Sequence, residues 1–143
     1  MEKIKAYGIC LYKKNQDSIK VLLCKSMNSQ ERWGFLKGVA LASEKPEETA
    51  VREFQEESSI RVEQKYLRNF FIQKNDLKNI GIYLVNANDI ENLERFFDKG
   101  ILFKKYLSVE NSDVRFFDIK HLPLIKKKQK HLTNEIITHL EKT

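Results

Sequence analysis

The chain has 143 residues, 41% of them hydrophobic and 10% aromatic, which is enough to build a core and argues against disorder. Lys and Arg number 26 against 20 Asp and Glu, and the resulting net charge of +6 favours polyanionic partners. No run approaches 18 consecutive apolar residues, and Met1-Glu2-Lys3 leads straight into Ile4-Lys5-Ala6-Tyr7, so one soluble, cytoplasmic domain over residues 1–143 with no membrane partner is expected.

In chain order, Ala6 to Tyr12 and Val21 to Lys25 are apolar runs on either side of the polar turn Asn15-Gln16-Asp17-Ser18, which predicts a hairpin. Cys10 and Cys24 lie inside those runs without metal-ligand spacing and read as buried free thiols. A loop from Ser26 to Arg32 leads to Trp33-Gly34-Phe35-Leu36-Lys37-Gly38, whose glycines permit a tight backbone path. Pro46 signals a helix start, with Glu47 and Glu48 beside the positive end of its dipole, and the helix should reach about Glu57. At about 100° per residue, Arg52, Glu53, Glu56 and Glu57 share one side, while Ala50, Val51 and Phe54 share the neighbouring side and can pack on a sheet.

Beyond the helix, Ile60 to Gln73 and Asn79 to Val85 resume the sheet. Glu91 to Phe97 predicts a short helix with Leu93, Phe96 and Phe97 inward, and Val114 to Ile119 a last strand. After Pro123, the spacing of Ile125, Leu132, Ile136, Ile137 and Leu140 predicts a terminal amphipathic helix. The run Lys126-Lys127-Lys128-Gln129-Lys130 has two readings: the solvated face of that helix, or a guide for a phosphate-rich ligand such as RNA. His121, His131 and His139 read as surface residues.

Glu53, Glu56 and Glu57 stand at i, i+3 and i+4, where each like-charged pair costs roughly 0.2–0.5 kcal/mol on an isolated helix. Arg52 can pair with Glu56 one turn on, but a single cation does not neutralise three carboxylates. A hard divalent ion does, and magnesium takes carboxylate oxygens while it also binds phosphates. The bland alternative is a solvated helix face.

Residues 38 to 60 resemble the Nudix signature G-x(5)-E-x(7)-R-E-U-x-E-E-x-G-U, where U is a bulky apolar residue. Gly38, Glu44, Arg52, Glu53, Phe54, Glu56, Glu57 and Ile60 meet it, and Ser59 stands where the signature has glycine. A glycine after a helix usually supplies a left-handed turn, which costs serine sterically. Trp33 to Gly38 is similar to the W-x-F-P-K-G lead-in of Nudix hydrolases that cut diadenosine tetraphosphate asymmetrically and of related RNA 5′-pyrophosphohydrolases, with Leu36 in place of proline. Leu107 to Phe116 resembles the L-S-x-E-H-x-x-Y-R-W segment of the dinucleoside tetraphosphatases, with Asn111, Val114 and Phe116 replacing histidine, tyrosine and tryptophan.

The resemblance implies the α/β class, a Nudix α/β/α sandwich with a mixed central sheet, and a magnesium-dependent pyrophosphohydrolase, with manganese as the alternative ion. It implies that the Lys37 carbonyl and the carboxylates of Glu53, Glu56, Glu57 and Glu110 hold the metal. Glu53 and Glu110 then compete for the role of general base, Arg52 orients the glutamates, and Gly38 and Glu44 shape the loop. Lys25 and Lys37 are candidate phosphate contacts, and Tyr83 and Phe117 candidate rings for stacking on a base, core packing being the ordinary role of such rings. The expected substrate is a nucleotide, foremost a dinucleoside polyphosphate such as diadenosine tetraphosphate. Hydrolysis or decapping of the RNA 5′ end is the runner-up, and a nucleotide-sensing domain without catalysis is a further alternative. The oligomeric state is not legible.

Overall fold

The computed structural model describes residues 2–28 and 31–143. In chain order these form β1 (Ile4–Lys14), β2 (Ile19–Ser26), β3 (Leu36–Val39), α1 (Pro46–Ser58), β4 (Arg68–Lys74), β5 (Lys78–Asn86), β6 (Phe97–Asp98), β7 (Ile101–Leu102), β8 (Asn111–Asp118) and α2 (Lys130–Lys142), with short 3₁₀ turns between them. The strands make one sheet in the order β4-β5-β1-β2-β8-β7-β6, and β3 pairs with β1 off that path. The β1–β5 pairing is parallel and all the others are antiparallel, so the sheet is mixed as expected.

The expected hairpin is β1–β2, and its turn is fixed by Asn15, whose Oδ1 accepts the N–H groups of Asp17 (3.1 Å) and Ser18 (2.9 Å). Alternation along the strands then divides the core in two. Ile9, Leu11, Leu22, Cys24 and Val85 face α1, where they meet Ala50 and Phe54. Cys10, Val21, Leu23, Ile80, Ile82 and Leu84 face α2, where they meet Leu132, Ile136 and Leu140. One helix therefore covers each face, giving the α/β/α layering. Cys10 and Cys24 are buried free thiols, and burial pushes the Cys24 thiol up to about 12.

Several expectations need correction. Ile60 to Gln73 is not one strand: β4 begins at Arg68, while Ile60 and Val62 are buried against the α1 side of the core without a ladder partner. Alternating burial there reflects packing of an extended segment, which mimics a strand pattern. Val51 is only half-buried. The predicted helix at Glu91 to Phe97 is a 3₁₀ turn, Leu93–Phe96, although Leu93, Phe96 and Phe97 do point inward. Ile125 and the residues up to Gln129 precede α2 instead of belonging to it. No helix among the described residues is long and apolar enough to cross a membrane.

Ser59 ends α1 at φ 67° and ψ 5°, and its N–H bonds the Gln55 carbonyl at 2.8 Å. This left-handed conformation is the one expected of the missing glycine. It costs a non-glycine residue about 1 kcal/mol, partly offset by the lower unfolded-state entropy of serine and by a bond from Ser59 Oγ to the Tyr106 carbonyl at 3.2 Å. Ser59→Gly should therefore gain stability by only about 0.5 kcal/mol, read as a small rise in urea midpoint with no change in m. A loss above about 1 kcal/mol would mean that the Tyr106 contact dominates.

Candidate functional site

On α1, Ala50, Phe54 and Glu57 follow one another at i, i+4 and i+7, and all three are buried. Glu57 thus sits at the end of the apolar stripe, only 7% exposed, and not on the solvated acidic side with its neighbours. Burial pushes its carboxyl up to about 8, and its Oε1 accepts the backbone N–H of Lys37 at 3.2 Å. The Lys37 ammonium is lowered to about 8, mainly by burial and then by the nearby charges of Lys78 and Lys126.

β3 brings Lys37 and Gly38 beneath the helix. It can do so because Gly8 of β1 lies opposite Lys37, where a Cβ would collide with the Leu36 carbonyl oxygen. At Gly38 the constraint comes from the helix: a Cβ there would occupy the place of the Glu53 carboxylate. Gly38 is therefore a seat for the Glu53 side chain.

Arg52 ties these parts together. Its Nε and Nη2 donate to the two oxygens of Glu44 at 2.7 and 2.9 Å, Nη1 reaches Glu53 at 2.8 Å and Glu56 at 3.2 Å, and Nη2 also meets the Val39 carbonyl at 3.1 Å. Glu44 accepts further bonds from the Leu41 N–H at 3.0 Å and the Thr49 hydroxyl at 2.7 Å. The Arg52 guanidinium holds the Glu44 carboxyl down at about 2, whereas burial raises that of Glu53. Glu44 thereby joins the Leu41 backbone to Thr49 and Arg52 of α1.

Lys37, Gly38, Arg52, Glu53, Glu56, Glu57 and Glu110 all line one cleft of about 520 Å³. Ser108 and Asn111 line it too, and Ser108 Oγ and Asn111 Nδ2 are buried with no hydrogen-bond partner. Such orphans are rare in folded proteins, and a water, an ion or a ligand can satisfy them; a third among the described residues, Asn79 Oδ1, does not line the cleft. The buried amide of Asn111 is a ready donor into the cleft. Among the described residues no three acidic, cysteine or histidine side chains already enclose an ion position. Arg52 draws Glu53 and Glu56 to itself, and like charges spread when nothing stands between them. The available donors are nonetheless all oxygens, the set that suits magnesium or manganese.

Three proposed substrate contacts lie elsewhere. Lys25 turns its ammonium over the Trp33 ring at 5.6 Å, and Phe117 packs edge-on against Trp33 at 4.7 Å on the α2 side. Tyr83 packs on Phe70 at 4.7 Å and donates its hydroxyl to Glu47 at 2.7 Å. All three serve packing, and none lines the cleft. Lys126 does line it, together with Lys78, which the sequence reading had not singled out.

Residues 2–138 match the model of the NUDIX domain family. No curated protein matches the sequence. Among solved structures, the MutT/nudix family protein from Enterococcus faecalis superposes with a TM-score of 0.62 at 18% identity over 82% of this chain, which spans 44% of that protein's length. The Caenorhabditis elegans Ap4A hydrolase binary complex gives 0.56 at 20% identity, over 82% of this chain and 81% of its own. The NUDIX domain of Shewanella oneidensis NrtR, complexed with ADP ribose, gives 0.65 at 15% identity over 98% and 90%. At these identities the likeness is one of fold.

Proposed function

This chain belongs to the NUDIX domain family, and we propose that it is a metal-dependent pyrophosphohydrolase of nucleoside polyphosphates, foremost dinucleoside polyphosphates. The observation that carries this reading is the gathering of Gly38, Arg52, Glu53, Glu56, Glu57 and Glu110 in one cleft with two orphaned polar side chains. The Lys37 carbonyl with Glu53, Glu56, Glu57 and Glu110 would hold magnesium. A divalent ion there supplies charge neutralisation at the phosphates and acidifies water.

The chain's own groups do the rest. Hydrolysis forms a bond from a water oxygen to phosphorus, breaks the bond from that phosphorus to the bridging oxygen, and sends a proton to a base. Glu110 is the base we assign, because its side chain has no ion pair or hydrogen bond among the described residues, whereas Glu53 is tied to Arg52. Asn111 Nδ2 and Ser108 Oγ donate to phosphoryl oxygens as charge develops. Lys37 and Lys126, which line the same cleft, attract the phosphate chain. Two buried, reduced cysteines accord with a cytoplasmic setting.

The test is turnover of diadenosine tetraphosphate, 5′-triphosphorylated RNA and ADP-ribose with magnesium, with products resolved by chromatography. Dinucleotide cleavage is expected to lead, and inactivity on all three would end the proposal. Asn111→Leu, nearly isosteric, should lower kcat by about 10²-fold, the size of one lost donor in a dry site. An unchanged kcat would remove Asn111 from the mechanism.

A further inference from the structure

We infer that a second, lysine-lined cavity beside the cleft is a binding site for a compact polyphosphate chain, so that the natural substrate carries phosphates well beyond the bond that is cut. This rests on the pyrophosphohydrolase reading of the neighbouring cleft.

The cavity, about 500 Å³, is lined by Arg32, Lys37, Lys78, Lys126, Lys127 and Lys128, and among the described residues neither an acidic nor an aromatic side chain lines it. Lys37, Lys78 and Lys126 also line the cleft, so the two spaces adjoin. None of the five lysine side chains makes an ion pair or hydrogen bond among the described residues. Like charges crowded together raise the energy of the empty site, and a polyanion relieves it.

The lysines are held in place by their backbone. Gln73 Nε2 donates to the Lys127 carbonyl at 3.3 Å and Asn75 Nδ2 to that of Lys128 at 3.2 Å. The Lys126 N–H bonds the Trp33 carbonyl at 2.9 Å. Gln129, 1% exposed, accepts the Phe35 N–H at 2.8 Å. The segment is therefore pinned to β4 on one side and to residues 33–35 on the other, while its charged ends remain unengaged.

Chemistry selects the occupant. Single-stranded RNA is usually gripped by rings that stack its bases as well as by cations, and no ring lines this cavity. A compact phosphate chain needs only charge. With carboxylates lining the cleft and lysines lining the adjoining cavity, such a chain would run from the lysines toward the acidic helix.

The experiment is calorimetric titration of inorganic tripolyphosphate, with EDTA present, into the wild type and Lys127→Gln/Lys128→Gln. Both side chains are exposed and only their carbonyls are bonded, so the fold is retained, which a thermal melt verifies. The double variant should bind at least about tenfold more weakly, and the slope of log K against log salt should fall by about two. A charge-matched control, Lys20→Gln/Lys142→Gln, removes cations that line neither cavity and should bind like the wild type. Equal binding by wild type and Lys127→Gln/Lys128→Gln, or an equal loss in the control, would overturn the site. Affinity for a 5′-triphosphorylated oligonucleotide that climbs with its length through these lysines would overturn the compact-chain reading in favour of RNA. Hydrolysis of nucleotides with tripolyphosphate binding indifferent to the lysines would sink this inference alone. Lysine-dependent binding with no hydrolysis of any nucleotide would support the site and end the enzymatic reading.

Discussion

Glu57→Gln should fold more stably in chelator than the wild type and yet turn substrate over at least about 10³-fold more slowly. On the proposed function the kinetic loss follows from removing a charge that would hold the metal: a cation's stabilisation of the transition state amounts to several kcal/mol, and each 1.4 kcal/mol is tenfold in rate. The stability gain follows from burial. Folding raises the Glu57 carboxyl from 4.5 to about 8, so the folded state keeps a proton that the unfolded state releases between those values. Below about pH 4.5 there is no penalty; it grows as pH rises and is complete above about 8. Wild-type protein in EDTA should therefore lose stability from pH 5 to 8, by on the order of 1–3 kcal/mol, and the variant should not. Millimolar magnesium should raise the wild-type melting temperature at pH 8 and leave that of Glu57→Gln nearly unmoved. A parallel pH dependence in the two proteins would show that Glu57 is not the buried acid described above.

Arg52→Lys should cost about 2–3 kcal/mol of stability and about 10²-fold in kcat, although charge is conserved. One guanidinium serves Glu44, Glu53, Glu56 and the Val39 carbonyl at once, and an ammonium has no planar fork with which to do so. The stability loss comes mainly from Glu44, which would keep its Leu41 and Thr49 bonds but lose its bidentate partner. The sign with pH is opposite to that of Glu57. Glu44 is held at about 2 against an ordinary 4.5, so its contribution is full above about pH 4.5 and fades as pH falls toward 2. Urea midpoints measured from pH 2.5 to 7 should fall steeply toward acid in the wild type and less so in Arg52→Lys. Identical slopes would show that the pair contributes nothing.

Much of this arrangement was legible in the residues themselves. The helix from Pro46, the β1–β2 hairpin and the glycine–glutamate–arginine spacing follow from local rules: a proline at the helix start, alternation, and side chains one turn apart. Left-handed Ser59 was foreseeable for the same reason. What periodicity does not carry is the partner across space. Strand alternation says that Tyr83 and Phe117 face opposite ways from their neighbours, but not which face holds a ligand. Lys126 to Lys130 resembled a solvated helix face because Gln129, the residue that pins the segment inward, is polar and gives no hydrophobic signal. β3 is four residues long and interrupted by Gly38, too short for a propensity argument. The Arg52–Glu56 pair follows from the helical spacing, whereas the pair of Arg52 with its neighbour Glu53 does not.

The Gln129 anchor has a consequence for the order of assembly. Its bond to Phe35 spans 94 residues, and the Arg32 bond to the Ile125 carbonyl spans 93. Contacts this distant along the chain close late, since loop entropy opposes them until the intervening elements are in place. A chain emerging from the ribosome would present its acidic helix long before the basic rim arrives to face it. Hydrolytic competence should then be the final property acquired, and chains halted before residue 126 should be ordered in part yet inert.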